Sequence, residues 1–203
     1  MRILAISDNH GSRQSNERLT GFIKQSEFDI LVCAGDYTEF GRLAEPFYEV
    51  LNEAKQPVLF VYGNHEHDSR RCNIDSHVKT ATYIGETVKL IGNVAFFSSS
   101  GHDIFCRSRE WRLSEAFSDL KGWLSNMKYE KSVFVTHEPP TNWIWPGNEG
   151  NNAGSVSISS FIDEIQPDLV ICGHLHVHEA AETKLPSGTR IINPGPLGTI
   201  IEI

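Results

Sequence analysis

The sequence predicts an α/β protein with parallel βαβ units, and three observations lead there. Short runs rich in Val, Ile and Leu recur along the 203-residue chain; each gives way to Gly, Asp, Asn or His; and helix-compatible segments separate the first three runs. Uninterrupted apolar runs of this length suit strands buried on both faces. Strand–helix–strand order implies parallel pairing through right-handed crossovers.

The elements follow in order. Ile3–Ile6 reads as the first strand and Arg13–Ser26 as the helix after it. Ile30–Ala34 is the second strand, and Gly41–Lys55 a second helix closed by Pro57 before the strand Val58–Tyr62. Val94–Ser98 and Val133–Thr136 are further strands, with a helix over Leu113–Met127 between them. A helix over Ser157–Ile165 meets Pro167, and the strands Leu169–Cys172, Arg190–Asn193 and Thr199–Ile203 complete the set. Asn193-Pro194-Gly195-Pro196 reads as the turn that returns the chain to its last strand. No repeat or low-complexity tract interrupts the pattern, so residues 1–203 read as one domain. The polar stretch Trp145–Ser155 reads as an active-site loop, because regular elements resume directly after it.

Composition narrows the function. Lys and Arg total 18 against 26 Asp and Glu, a net charge of −8, which gives the chain little general attraction for polyanions. The same chain holds nine histidines, and carboxylates with imidazoles are the ligands that hard and borderline divalent metals take. The opening MRILAISD lacks the long apolar core of a signal peptide. No stretch approaches the roughly 20 apolar residues of a membrane span. Cys33, Cys72, Cys106 and Cys172 form no CxxC pair, and a reducing cytoplasm is the expected location.

The chemistry lies where the strands end. Asp8 and His10, Asp36, Asn64 and His65, His137, and His174 with His176 each follow an apolar run. In α/β sheets, ligand sites form beyond the carboxyl ends of the strands, so these side chains are expected to converge on one rim. Alone, Asp36 reads as a helix cap and His137 as a hydrogen-bonded core histidine. Together they exceed what one tetrahedral site uses, which points to two metals. His174 and His176, alternate residues of an extended segment, are expected to share a face.

These blocks resemble the calcineurin-like metallophosphoesterase superfamily, whose pattern is D-x-H, G-D, G-N-H-[DE], a lone H and G-H-x-H. Here they read Asp8-Asn9-His10, Gly35-Asp36, Gly63-Asn64-His65-Glu66, His137 and Gly173-His174-Leu175-His176, in that order over nearly the whole chain. The resemblance implies a four-layer αββα sandwich. It also implies a first metal held by Asp8, His10, Asp36 and His176 and a second held by Asp36, Asn64, His137 and His174. Asp36 then bridges the pair, and a shared hydroxide attacks phosphorus. His65, outside both shells, is the implied general acid, with Glu66 or Asp8 orienting its ring. Mn²⁺ is the expected ion, and Fe, Zn and Ni suit the same ligands.

The loops speak to substrate. Protein phosphatases of this superfamily extend the second block to G-D-x-x-D-R-G with a phosphate-gripping arginine, whereas Phe40 stands at that position here. A small-molecule phosphomonoester or phosphodiester, including a nucleotide, is therefore the expected substrate. Its candidate contacts are Asn64, Arg70, Arg107 and Trp143, with Arg71, Arg109, Arg112 and Trp145 nearby in sequence. His67, His77, His102 and His178 match no family position and read as surface or structural residues. Two other readings are a silent protein-binding scaffold, resembling the retromer subunit of this fold, and a nuclease. Intact ligand blocks and His65 oppose the first; the charge of −8 with no Lys/Arg-rich run opposes the second and long nucleic acid generally. Nothing in the pattern specifies an oligomeric state.

Overall fold

A computed structural model describes residues 1–25, 27–66, 74–99, 109–141 and 154–203. Among the described residues, eleven strands form two sheets. The first contains β1 (Arg2–Ile6), β2 (Ile30–Cys33), β3 (Val58–Phe60), β4 (Ala81–Tyr83) and β11 (Thr199–Glu202), in the order β11-β1-β2-β3-β4. Pairing is parallel from β1 to β4, with Ile3 opposite Ile30 and Leu31 opposite Val58, while β11 runs antiparallel to β1. The second contains β5 (Thr87–Ile91), β6 (Val94–Ser98), β7 (Lys131–Val135), β8 (Leu169–Ile171), β9 (Ala181–Lys184) and β10 (Arg190–Asn193). Its order is β5-β6-β7-β8-β10-β9, parallel inside and antiparallel at both edges.

Strand alternation builds four layers. On β1, Leu4 and Ile6 face α1 (Arg13–Gln25) and α2 (Ala44–Glu53) and pack with Leu19, Phe47 and Leu51. Ile3 and Ala5 point the other way and meet Val133, Val135, Leu169 and Ile171 of the second sheet. That sheet turns Phe97, Phe134, Val170 and Ile191 outward onto α4 (Arg109–Ser125) and α5 (Val156–Ile165), where Phe117 stacks on Phe161 with ring centroids 4.1 Å apart. Helix, sheet, sheet and helix thus enclose three apolar seams. Fully burying each such Phe or Leu contributes about 1.5–3 kcal/mol. No helix among the described residues is long and apolar enough to cross a membrane.

Boundaries depart from the sequence reading where loops compete. The second helix starts at Ala44 rather than Gly41, because Glu39 and Arg42 exchange two N–H···O bonds of 3.0 Å in a tight turn. Gly41 (φ 76°) and Leu43 (φ 59°) in that turn are left-handed and cannot begin a helix. α4 begins at Arg109, ahead of the expected Leu113, and ends at Ser125. At α5 the Ser155 hydroxyl accepts from Ile158 N at 3.3 Å, an N-cap that sets the helix start. The strands β4, β5 and β9 and the short helix α3 (Ile74–His77) have no counterpart in the apolar pattern of the sequence.

Candidate metal centre

The loops leaving β1, β2, β3, β7 and β8 meet at one rim. Hydrogen bonds carry the parallel pairing past the strand ends, from Asp8 N to Gly35 O, His10 N to Asp36 O and Gly173 N to His137 O, at 2.9–3.0 Å. The backbone is contorted where the chemistry sits. Asp8 (φ 54°), His10 (φ 51°), Asp36 (φ 52°) and His174 (φ 69°) are all left-handed, a conformation costing a non-glycine residue about 1–3 kcal/mol. Strain of that kind persists where surrounding contacts over-determine it, and it turns each side chain toward the same space.

The donor atoms form overlapping groups. Asp8, His10 and His176 make one, Asp36, His137 and His174 another, and His10, Asp36 and His65 a third, the ligand atoms of each lying within 4.8 Å of one another. His10 Nε2 is 3.1 Å from His176 Nε2, which is 3.5 Å from Asp8 Oδ1. Asn64 Oδ1 lies 3.1 Å from His137 Nε2 and 2.9 Å from His174 Nδ1. Asp36 Oδ2 stands between the groups, 3.3 Å from His137 Nε2, 4.0 Å from His10 Nε2 and 3.9 Å from His65 Nε2.

Such a donor set suits cations. His137 Nδ1 donates to Ala34 O at 2.8 Å, so in the neutral ring Nε2 turns a lone pair toward two oxygens. His10 Nδ1 likewise faces Thr38 O at 3.3 Å, which leaves its Nε2 lone pair directed at His176 Nε2. Burial by itself would lower the pKa of His137, but the hydrogen bond and charge of Asp36 outweigh it and raise the group to about 9. Burial works to raise Asp36, yet His137 and the His65 N–H bring it down to about 2. In Asp8, too, burial is outweighed, by the His176 hydrogen bond, and its pKa is lowered. Asp8 and Asp36 thus stay ionised, and Asp36 favours a protonated His137 beside it.

Glycine spacing and one carboxylate maintain this geometry. A Cβ on Gly63 would collide with the Asp36 carboxylate, and one on Gly173 would meet Asp8 Oδ2 at 2.6 Å. Glu66, fully buried, accepts from Asp36 N (2.8 Å), Gly63 N (2.9 Å), Thr38 N (2.9 Å) and Thr38 Oγ1 (2.8 Å). Burial and the Asp36 charge push Glu66 up to about 7 even so.

A family model for calcineurin-like phosphoesterases matches residues 1–178. The chain belongs to that family. An uncharacterized protein of Methanocaldococcus jannaschii is 29% identical over 211 residues, covering 97% of this chain and 88% of the relative. A crystal structure from Thermus thermophilus superposes with a TM-score of 0.72 at 19% identity, covering 97% of this chain and 89% of that one. A dimetal phosphatase from Danio rerio gives 0.70 at 15% identity, covering 95% and 86%. Both structural likenesses are likenesses of fold.

Within this calcineurin-like phosphoesterase, all eight residues quoted from the family blocks as ligands or acid (Asp8, His10, Asp36, Asn64, His65, His137, His174 and His176) gather at the rim. Two expectations about them need correction. His174 and His176 do not share the face of an extended segment: His174 is left-handed and His176 opens a 3-10 turn, so their rings enter different groups. Neither Glu66 nor Asp8 orients the His65 ring. Glu66 bonds the backbone around it, Asp8 faces His174 N and His176, and the carboxylate near His65 Nδ1 is Glu39 at 3.8 Å. Glu39 also lies 3.7 Å from His10 Nδ1, a role its position one residue before Phe40 did not suggest. Asn193, read as a turn residue, accepts from Ser7 Oγ and donates to Leu175 O, both at 3.2 Å, pinning the loop of His174 and His176. His77 stacks on Tyr48 and His178 is buried, in keeping with structural roles. Arg70, Arg71, Arg107, Trp143, Trp145, His67 and His102 lie outside the described residues, as do the side chains of Arg109 and Arg112.

Proposed function

We propose that the chain is a dinuclear metal-dependent phosphohydrolase acting on a small phosphomono- or phosphodiester. The observation that carries this reading is the Asp36 carboxylate set between two histidine groups, with His65 Nε2 beside it at 3.9 Å. Asp8, His10, Asp36 and His176 would hold one ion and Asp36, Asn64, His137 and His174 the other, with Mn²⁺ the proposed metal ahead of Fe, Zn or Ni. When bound, such a pair supplies Lewis acidity, charge neutralisation at phosphate and acidification of water.

The chain's own residues do the rest. Ala34 O and Thr38 O fix the His137 and His10 rings by accepting from Nδ1, which keeps Nε2 directed into the site. Hydrolysis bonds a water oxygen to phosphorus as the ester P–O bond breaks. His65 gives a proton to the departing oxygen and so balances the one that water loses. The charge of −8 supports small esters over long nucleic acid. Free buried Cys33 and Cys172 support a reducing, cytoplasmic setting.

The test is hydrolysis of an aryl phosphate and an aryl phosphodiester with Mn²⁺, before and after chelation. Turnover that chelation abolishes and Mn²⁺ restores is expected. Absent or chelator-insensitive turnover across mononucleotides, cyclic nucleotides, diesters and sugar phosphates would overturn the proposal.

A further inference from the structure

The turn after β2 carries an aromatic ring that neither the donor set nor the core requires. Phe40 stacks on His65 with ring centroids 3.9 Å apart and planes 21° from parallel, yet 53% of the residue stays exposed. Its backbone is left-handed, φ 49°, a conformation free to glycine and strained for phenylalanine. Hydrogen bonds nonetheless hold the turn. Glu39 and Arg42 exchange two hydrogen bonds, and Gly41 N donates to Thr38 Oγ1 at 3.0 Å. Thr38 Oγ1 donates in turn to Glu66, the carboxylate that braces Asp36. The ring is therefore held over His65 with one face on the imidazole and part of its surface open to solvent.

A departing oxygen that takes a proton from His65 must come within hydrogen-bond reach of Nε2, and whatever that oxygen carries lies beside Phe40. The Glu39 carboxylate, on the same turn and 3.8 Å from His65 Nδ1, disfavours a second anionic group there. We infer that Phe40 is a specificity residue: it walls the leaving-group subsite and selects esters whose alcohol bears a flat aromatic ring close to the ester oxygen. The inference rests on the phosphohydrolase reading and deepens it.

Calorimetric titration of the Mn²⁺-loaded protein with benzylphosphonate and ethylphosphonate, neither of which is hydrolysed, reads this subsite without turnover. Benzylphosphonate should bind about tenfold tighter, the scale of one aromatic stacking contact. The ratio should fall toward one in F40A and in F40L, which keeps bulk without an aromatic face, and should survive in F40W. A wild-type ratio near one, or a ratio that persists in both F40A and F40L, overturns the inference. Hydrolysis of benzyl and ethyl phosphate, both esters of primary alcohols, separates the two claims. A Phe40-dependent binding preference without turnover of either ester, or of any ester in the panel above, would sink the hydrolase reading and keep the aromatic wall. Turnover of both without that preference would sink the wall alone, and failure to bind either phosphonate would sink both.

Discussion

Glu66 and His65 are neighbours with separable duties. Removing the Glu66 carboxylate leaves the N–H groups of Asp36, Gly63 and Thr38 and the Thr38 hydroxyl without their buried acceptor. Each orphaned donor costs about 1–3 kcal/mol, partly relieved by water, so E66A should lose roughly 3–5 kcal/mol in urea unfolding. E66Q, which keeps one acceptor oxygen, should lose less. His65 instead points its Nε2 at the site and lends its backbone N–H to Asp36 Oδ1 at 2.8 Å. H65A keeps that N–H, so bound metal, read by elemental analysis, should stay near wild type. Its turnover should drop about 10²- to 10⁴-fold, the usual contribution of a positioned acid. Loss of metal together with activity would contradict a proton-donor role. The eight rim residues were legible because each stands one to four residues beyond an apolar run. Glu66 and Asn193 act by bracing loop backbone and Glu39 by facing two imidazole rings, and such work leaves no periodic trace in a sequence.

Asp168, at the entrance to β8, ties that strand to β7. It accepts from Lys131 Nζ at 2.7 Å and from Ser132 N at 2.9 Å. Partial burial acts to raise its pKa, but the Lys131 ammonium and the Ser132 donors prevail and hold it below the ordinary value. A carboxyl lowered on folding stabilises the protein above its unfolded pKa and loses that contribution as pH falls through the folded one. D168N should therefore be less stable at pH 7, by at most about 1 kcal/mol because the pair is solvent-screened, with the gap closing in acid. Parallel denaturant titrations at neutral and acidic pH check this; a gap that grows in acid would contradict it. The same scale explains what the chain pattern hid. β6 and β10 match their expected bounds because their apolar runs pack between layers. β4, β5 and β9 lie at sheet edges, where a half-exposed strand mixes Thr, Lys and Glu with its apolar residues and shows no run.

Across the whole molecule, the donor set is divided between the two sheets. Asp8, His10, Asp36 and Asn64 follow strands of the first, and His137, His174 and His176 follow strands of the second. Neither half contains either proposed ligand set, so a bound ion at that rim is a cross-link between the layers. Saturating Mn²⁺ at 100 times its dissociation constant should add about 2.7 kcal/mol to unfolding for each site it fills, removed by chelation. The division also fixes when along the folding reaction that energy arrives. The two sheets must dock before the four ligands of either ion stand together, so the metal contacts are expected to form late, after the rate-limiting barrier. Stopped-flow kinetics should then show Mn²⁺ slowing the unfolding limb of the chevron while the refolding limb stays in place. Acceleration of refolding would mean that the rim assembles early. A bound metal pair would, on this account, be a latch on the folded protein and no guide to the unfolded one.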